Sequence, residues 1–422
     1  MKRVLAVALL VTLLVAACGG PSGTSVEAPG TLRLQVSGER EEAAVFETVA
    51  RAYEAAHPGL KVVVDVVPDE EEHLAKLSTG FAAGSPADAF VVNYRTYAQF
   101  VQRGAIEPAG PLVAGAGLDL TGHAQQPLDA FTQRGELQCV PINASSMVAY
   151  INLDLLKRAG VPLPTEEGWD WESFRAAAIV LTNGEVKGVG IGARLIRVAP
   201  FVWSTGGEVV DDPVAPTRTT FDTPEGRRAL SYLVGLVRDD SVVPSQAEVK
   251  AASLEQRFAE GRLAMLLSSR RDVPRFREVE GLQFAVVAPP RAPGGRQVTA
   301  LHTDGVCVSK GTGRERQAAD LAAFFADREG QQLAALSGRV VPVAPSARAA
   351  FLQPGAQPLS SEVFLDQLPT ARALPAVPGW GEVEDVAKDV LEKAFYADGY
   401  TVEEAARDLD ARSRAPLAEA RR

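Results

Sequence analysis

The chain has 422 residues, 46% of them apolar and 23% charged, the balance of an ordinary globular protein. A formal net charge of −10 and scattered basic residues argue against nucleic acid or an anionic membrane surface as a partner. The length is too great for one simple core and predicts two lobes.

In chain order, Lys2 and Arg3 precede an apolar run from Val4 to Ala17, and small residues then surround Cys18. A basic start, a short apolar stretch and small residues at the cut describe a secretory signal peptide, here residues 1–17. The sequence Val15-Ala16-Ala17-Cys18 further resembles a bacterial lipoprotein signal, in which the cysteine is lipidated and becomes the new N-terminus. The run of about 14 residues is shorter than the roughly 20 of a spanning helix, and no later segment is apolar enough to span. Residues 18–30 have the composition of a flexible linker.

Thr31 to Val36 alternates as a strand, Glu41 to Ala56 is an amphipathic helix with Val45, Val49, Ala52 and Tyr53 on one face, and His57-Pro58-Gly59 stops it. A valine-rich strand follows from Leu60 to Val67, completing a βαβ unit and predicting a parallel sheet. A helix over 70–83, a strand over 87–92 and a helix over 94–103 come next. Asp69 to Glu72 reads as a solvated helix N-terminus favoured by the macrodipole, and the Gly- and Pro-rich 104–122 as loop. Further helices are predicted over 171–181, 223–239 (Asp222 as cap, Pro224 in the first turn) and 254–260. Strands are predicted over 188–192, 263–268, 284–288 and 305–309. Helices over 314–326, 330–336, 381–396 and 401–414 close the chain.

A search for catalytic motifs returns little. His57, His73, His123 and His302 form neither HExxH nor a paired metal spacing. There is no GxSxG elbow and no Walker loop. Gly188-Val189-Gly190-Ile191-Gly192 loosely matches a dinucleotide fingerprint, but it lacks the right β-α start and reads better as a buried strand. No metal or cofactor is expected. Carboxylate pairs distant in sequence escape such a search, so a cell-envelope enzyme acting on glycosides stands as the alternative to binding without chemistry. Trp169 and Trp171 read as packing residues and Tyr53 as core.

Several segments then share an order and spacing: Thr31 to Gly38, Phe46 to Tyr53 with His57 to Val64, Ala82 to Phe90, Gln138 to Ile142, Val148 to Pro162, Gly168 to Phe174, Phe221 to Gly226, Phe258 to Met265, and Phe364 to Tyr400. Through them the chain, from Thr31 to Ala415, resembles the extracytoplasmic solute-binding proteins of ABC importers. The likeness is to the carbohydrate-binding branch that includes maltose- and glycerol-phosphate-binding proteins. The resemblance implies an α/β, two-lobe periplasmic-binding-protein fold with hinge strands and an interlobe ligand cleft. It implies an N-terminal lobe of 31–138 plus 305–350, a C-terminal lobe of 143–300 plus 355–422, and hinge crossovers at 139–142 and 301–307. It implies a monomer, lipid-anchored outside the bacterial cell membrane through Cys18, that captures a sugar, oligosaccharide or sugar or polyol phosphate by lobe closure and passes it to permease subunits without catalysis. A sensory protein presenting its ligand to a membrane receptor is a third reading.

The family's cleft positions carry over to Ser37, Glu39 and Arg40 after the first strand, to Asn93, Tyr94 and Arg95 after the third, and to Asn143 and Ser145 after the first crossover. They carry over also to Trp203, to Ser269 and Arg270, to Thr303 and Asp304, and to Trp380. In that family the two crossover strands run side by side, which implies a Cys139–Cys307 disulfide. Two departures bear on the ligand: Ser268-Ser269-Arg270-Arg271 stands where relatives often carry a stacking aromatic, and His302-Thr303-Asp304 where they are often rich in glycine. Aromatics make up only 6% of the chain. These departures allow a smaller or more polar ligand, one with an anionic group met by Arg95 or Arg270; the alternative is that both arginines are solvated or paired with Asp or Glu.

Overall fold

The computed structural model describes residues 30–38, 40–164, 169–353 and 355–421, with backbone alone at 40–42. Cys18, the linker and Glu39 lie outside the described residues. Among the described residues no helix is long and apolar enough to cross a membrane.

In the first lobe the strand Thr31–Ser37 lies between Lys61–Val67 and Ala89–Asn93, parallel to both. Asp304–Ser309 runs antiparallel to Ala89–Asn93 and also pairs with Ile106–Glu107 and Cys139–Pro141. Leu32, Leu34 and Val36 alternate into a core that takes Val45, Val49 and Tyr53 from the helix Arg40–Ala56, as the sequence pattern requires. Gln35 is also buried. Its Nε2 lies 3.2 Å from His73 Nδ1, while His73 Nε2 lies 2.9 Å from the Val91 carbonyl. A buried polar group needs such partners.

The second lobe is built on the sheet Lys187–Gly190, Leu263–Ser268, Val148–Asn152, Phe284–Val287, in that spatial order. Between the lobes a small sheet joins Ser145–Ser146, Thr299–His302 and Ala371–Arg372. The chain therefore passes from one sheet system to the other beside Asn143 and again beside Thr303. A third passage follows the helix Arg328–Leu336. Ala334 packs in the first-lobe core, whereas Ala335, Val341 and Phe351 pack with Tyr150 and Phe276 of the second lobe.

The structure departs from the sequence expectations in several places. The helix expected over 94–103 is only Ala98–Gln102, because the Asn93 carbonyl accepts from Thr96 N–H and turns the chain first. Thr223, not Asp222, caps the helix Pro224–Arg238, its hydroxyl accepting from Gly226 N–H; Asp222 instead pairs with Arg227. The helix expected over 401–414 is two, Val402–Arg412 and Arg414–Glu419, broken at Ser413. Ala109–Gly115 and Leu195–Ser204 are helices where no helix was expected. The second buries every residue but Arg197 and carries Pro200 in its interior, a residue that ordinarily ends a helix.

Cys139 and Cys307 are joined. They face each other directly in the antiparallel ladder, two positions from the Pro141–Gly305 pair. Pro141 has no N–H, which suits a pair that exchanges no ladder hydrogen bonds. The cysteines share that parity, and their Cα atoms are 4.3 Å apart, the spacing of such a pair. The bridge closes a long loop, sequence separation 168. Replacing both cysteines with serine should lower stability by about 2–4 kcal/mol in urea unfolding. Thiol labelling of the unreduced protein, mapped by mass, should leave both positions unlabelled.

Candidate functional site

The C-terminal end of Ala89–Asn93 opens toward the gap between the lobes, where α/β sheets bind ligands. Asn93 Nδ2 donates to Asp304 Oδ1 at 3.0 Å and to the Thr303 carbonyl at 3.2 Å. From the other crossover, Asn143 Nδ2 donates to Asp304 Oδ2 at 2.8 Å, and Asp304 N–H donates back to Asn143 Oδ1 at 2.8 Å. Thr303 Oγ1 donates to the Asn143 carbonyl at 2.6 Å. Asn93, Asn143, Thr303 and Asp304 thus form one knot that ties both crossovers to the first sheet.

Arg95 continues from that knot. Its Nε donates to Asn93 Oδ1 at 3.0 Å, and Nη1 reaches both carboxylate oxygens of Glu384, at 2.5 and 2.6 Å. Glu384 belongs to the helix Trp380–Tyr396 of the second lobe, so the pair spans the gap. Gln102 Nε2, donating to the Ala420 carbonyl, spans it again. Burial lowers the pKa of Arg95, but Glu384 overcomes this and raises it, so the guanidinium stays charged. Glu70 keeps contact with solvent but stands amid dense protein. Desolvation raises its pKa, opposed by Arg95 and reinforced by Asp304 and Glu384.

A second charged group faces the first. Arg197 Nη1 lies 3.1 Å from His302 Nε2 and Nη2 donates to Ser268 Oγ at 3.3 Å. Ser268 in turn donates to the Asp272 carboxylate. An arginine has only donors, so His302 accepts and is neutral. Burial, then the charges of Arg197, Arg95 and Arg271, hold the His302 pKa well below the usual value. Burial pulls Arg197 down to about 10, still charged near neutral pH.

Of these residues Glu70, Arg95 and Glu384 line a groove of about 1010 Å³ between the lobes, walled also by the rest of the N-terminal turn of Glu70–Ala82, by Gln99, and by Arg194 and Trp380. Among the described residues lining it, Trp380 is the sole aromatic. Its indole is fully covered and its Nε1 has no partner. No group of acidic, histidine or cysteine side chains among the described residues could hold a metal ion.

The structure thus brings together Asn93, Arg95, Asn143, Thr303, Asp304 and Trp380. Ser37 ends its strand partly covered, and Arg40 opens the helix that follows. Ser145 is buried, accepting from Arg270 N–H. Four expected contacts are placed elsewhere. The turn after Asn93 carries Tyr94 into the core, where its hydroxyl accepts from Leu374 N–H at 3.0 Å. Trp203 is packed in the second-lobe core with the Arg372 guanidinium over its ring. Ser269 and Arg270 are buried behind the sheet, Ser269 O accepting from Tyr150 and Arg270 running away from the groove to Gly338. The sequence reading missed Arg197, Glu384 and the position of Glu70. The Arg194–Arg197 pair in an otherwise apolar helix was the one local signal of this wall.

The family model for bacterial extracellular solute-binding proteins matches residues 48–357. A binding protein of Brucella abortus (strain 2308) is 25% identical over 360 residues, 84% of this chain and 85% of that one. The fold is shared with an ABC substrate-binding protein from Listeria monocytogenes in complex with cycloalternan, at TM-score 0.83 and 24% identity over 92% of this chain and 98% of that one. The GacH receptor of Streptomyces glaucescens has TM-score 0.81 and 19% identity, with 93% and 100% covered. UgpB from Mycobacterium tuberculosis, in complex with glycerophosphocholine, has TM-score 0.79 and 18% identity, with 93% and 99% covered.

Burial also lowers the pKa of His73. Above about pH 6.5 folded and unfolded chains both keep His73 and His302 neutral. Below it the unfolded chain binds protons that the folded chain does not, so these two rings make stability fall as pH falls. Glu70 and Asp272, raised by burial, act in the opposite sense. The double variant H73Q/H302Q should therefore lose less stability than the parent between about pH 7 and pH 5.5. Urea unfolding at the two pH values checks this; equal losses would refute it.

Proposed function

The chain belongs to the bacterial extracellular solute-binding protein family, and from that premise we propose that it is the substrate-binding component of an ABC importer. It takes up a carbohydrate-like solute between its lobes and presents it to the permease subunits as a monomer held to the membrane by lipid on Cys18. It performs no chemistry. Ligand contacts made in the closed arrangement shift the balance of open and closed lobes.

The observation that carries this reading is the linked set of Asn93, Arg95, Asn143 and Asp304 at the crossovers, joined through Arg95 to the interlobe groove that it lines, with Arg197 bonded to His302 nearby. Amides, carboxylates and guanidinium groups suit the hydroxyls of a polyol, and burying them makes an unmatched partner costly. With Trp380 covered, stacking along a long oligosaccharide has little support. Arg197, whose hydrogen-bond partners His302 and Ser268 are neutral, favours an anionic substituent. A sugar or polyol phosphate is the ligand class that meets both demands.

Calorimetric titration with neutral sugars, oligosaccharides, and sugar and polyol phosphates tests the assignment. A phosphorylated polyol should bind, and Arg197→Gln should weaken it at least about tenfold, the effect of one charge-assisted hydrogen bond. Binding of neutral oligosaccharides alone would overturn the anionic class. No binding by any member, with no association with the permease, would overturn the transport role. Replacing Cys18 with serine should move the protein from the membrane fraction to the soluble one.

A further inference from the structure

Arg270 and Arg277 lie outside the groove, and solute binding gives them no role. Both stand against the end of the helix Arg328–Leu336, where the chain makes its third passage between the lobes. Arg270 Nε donates to the Gly338 carbonyl at 2.6 Å and its Nη1 to Ser361 Oγ at 3.2 Å. Arg277 Nε donates to the Gln357 carbonyl at 2.6 Å and its Nη1 to Gln353 Oε1 at 3.0 Å. A Cβ on Gly338 would come 2.1 Å from Arg277 Nη1, so the two guanidinium groups crowd one residue.

On each arginine the Nη2 atom is buried and meets no protein acceptor. Arg270 is 0% exposed. Every partner of the pair is neutral, a carbonyl or a hydroxyl. Burial draws Arg270 down to about 9; Tyr150 opposes the shift and the Arg277 charge adds a smaller push in the same direction as burial.

Two features offset part of this charge. The rings of Phe351 and Phe364 lie 4.4 and 5.1 Å from Arg270 Cζ, and their faces attract a cation. The C-terminal end of the helix Arg328–Leu336 contributes about half a negative elementary charge, which leaves the charge of fully buried Arg270 only partly matched, beside a partly exposed Arg277. An uncompensated buried charge costs several kcal/mol in general, so the pair calls for an anion. Enclosure of both Nη2 atoms excludes sulfate, phosphate and organic acids on size.

We propose that Arg270 and Arg277 hold a monatomic inorganic anion, chloride in ordinary salt, through their Nη2 groups. The anion pins the third passage, through Gly338, Gln353, Gln357 and Ser361, to the strand Leu263–Ser268 and the helix Val273–Arg277 of the second lobe.

The test is thermal unfolding of the intact protein at constant ionic strength, with chloride exchanged stepwise for gluconate, which is too large to enter. The midpoint should rise by about 2–5 °C and saturate as chloride reaches roughly a hundred times its dissociation constant. Arg277→Gln should abolish the rise. Crystals of the unaltered protein soaked in bromide should show an anomalous peak within hydrogen-bonding distance of both Nη2 atoms, which decides the matter even if the variant fails to fold. An identical midpoint in chloride and gluconate, a rise that persists in Arg277→Gln, or a bromide-soaked crystal with no peak at the pair would overturn the proposal.

Discussion

Asp304 accepts from Asn143 through one carboxylate oxygen and from Asn93 through the other, and its backbone N–H returns to Asn143. Everything at the groove hangs from this fork. Asn93 orients Arg95, Arg95 reaches Glu384 across the gap, and Thr303 secures the neighbouring crossover. The three side chains come from positions 93, 143 and 304, which only the completed sheet brings together. A carboxylate with charge-assisted hydrogen bonds to two separate strands defines an angle as well as a distance. The knot therefore sets the orientation in which the second lobe leaves the first.

The groove has an uneven electrical character. Glu70, Asp304 and Glu384 lie around Arg95, while Arg197 and Arg271 face His302 with Asp272 behind them. Burial raises every local field, because little water remains to screen it. The neutral histidine is a consequence of that field. It leaves His302 as an acceptor for Arg197, and the guanidinium is oriented without losing its charge. Family membership sets the architecture of a binding protein; these particular charges distinguish the wall of this one.

Much of the scaffold was legible in the sequence because its signals are local. Thr31–Ser37, Lys61–Val67 and Trp171–Leu181 follow from period-2 and period-3.6 patterns. The pairing of Cys139 with Cys307 followed from a family resemblance, and the ladder supplies the reason. Leu195–Ser204 escaped because Pro200 lies inside it, where a proline ordinarily breaks a helix. Arg270 was expected at the ligand from its place after a strand, yet its side chain runs behind the sheet to Gly338. Side-chain direction at a strand end depends on the turn that follows, here the short helical turn Arg270–Asp272. Glu384 carried no signal, since it looks like any solvated helical glutamate until the lobes are assembled.

The disulfide lies on the first-lobe side of the crossovers, at the strands Cys139–Pro141 and Asp304–Ser309. It welds those two strands into a single lever before either enters the small sheet between the lobes. Two independent tethers would let one lobe slide along the other, each strand bending by its own amount. A welded pair removes that freedom, because the strands cannot shift in register past the bridge. The bridge thus fixes the register of two of the three connections just before they reach 142–144 and 303, and leaves the passage after Arg328–Leu336 as the one it does not constrain.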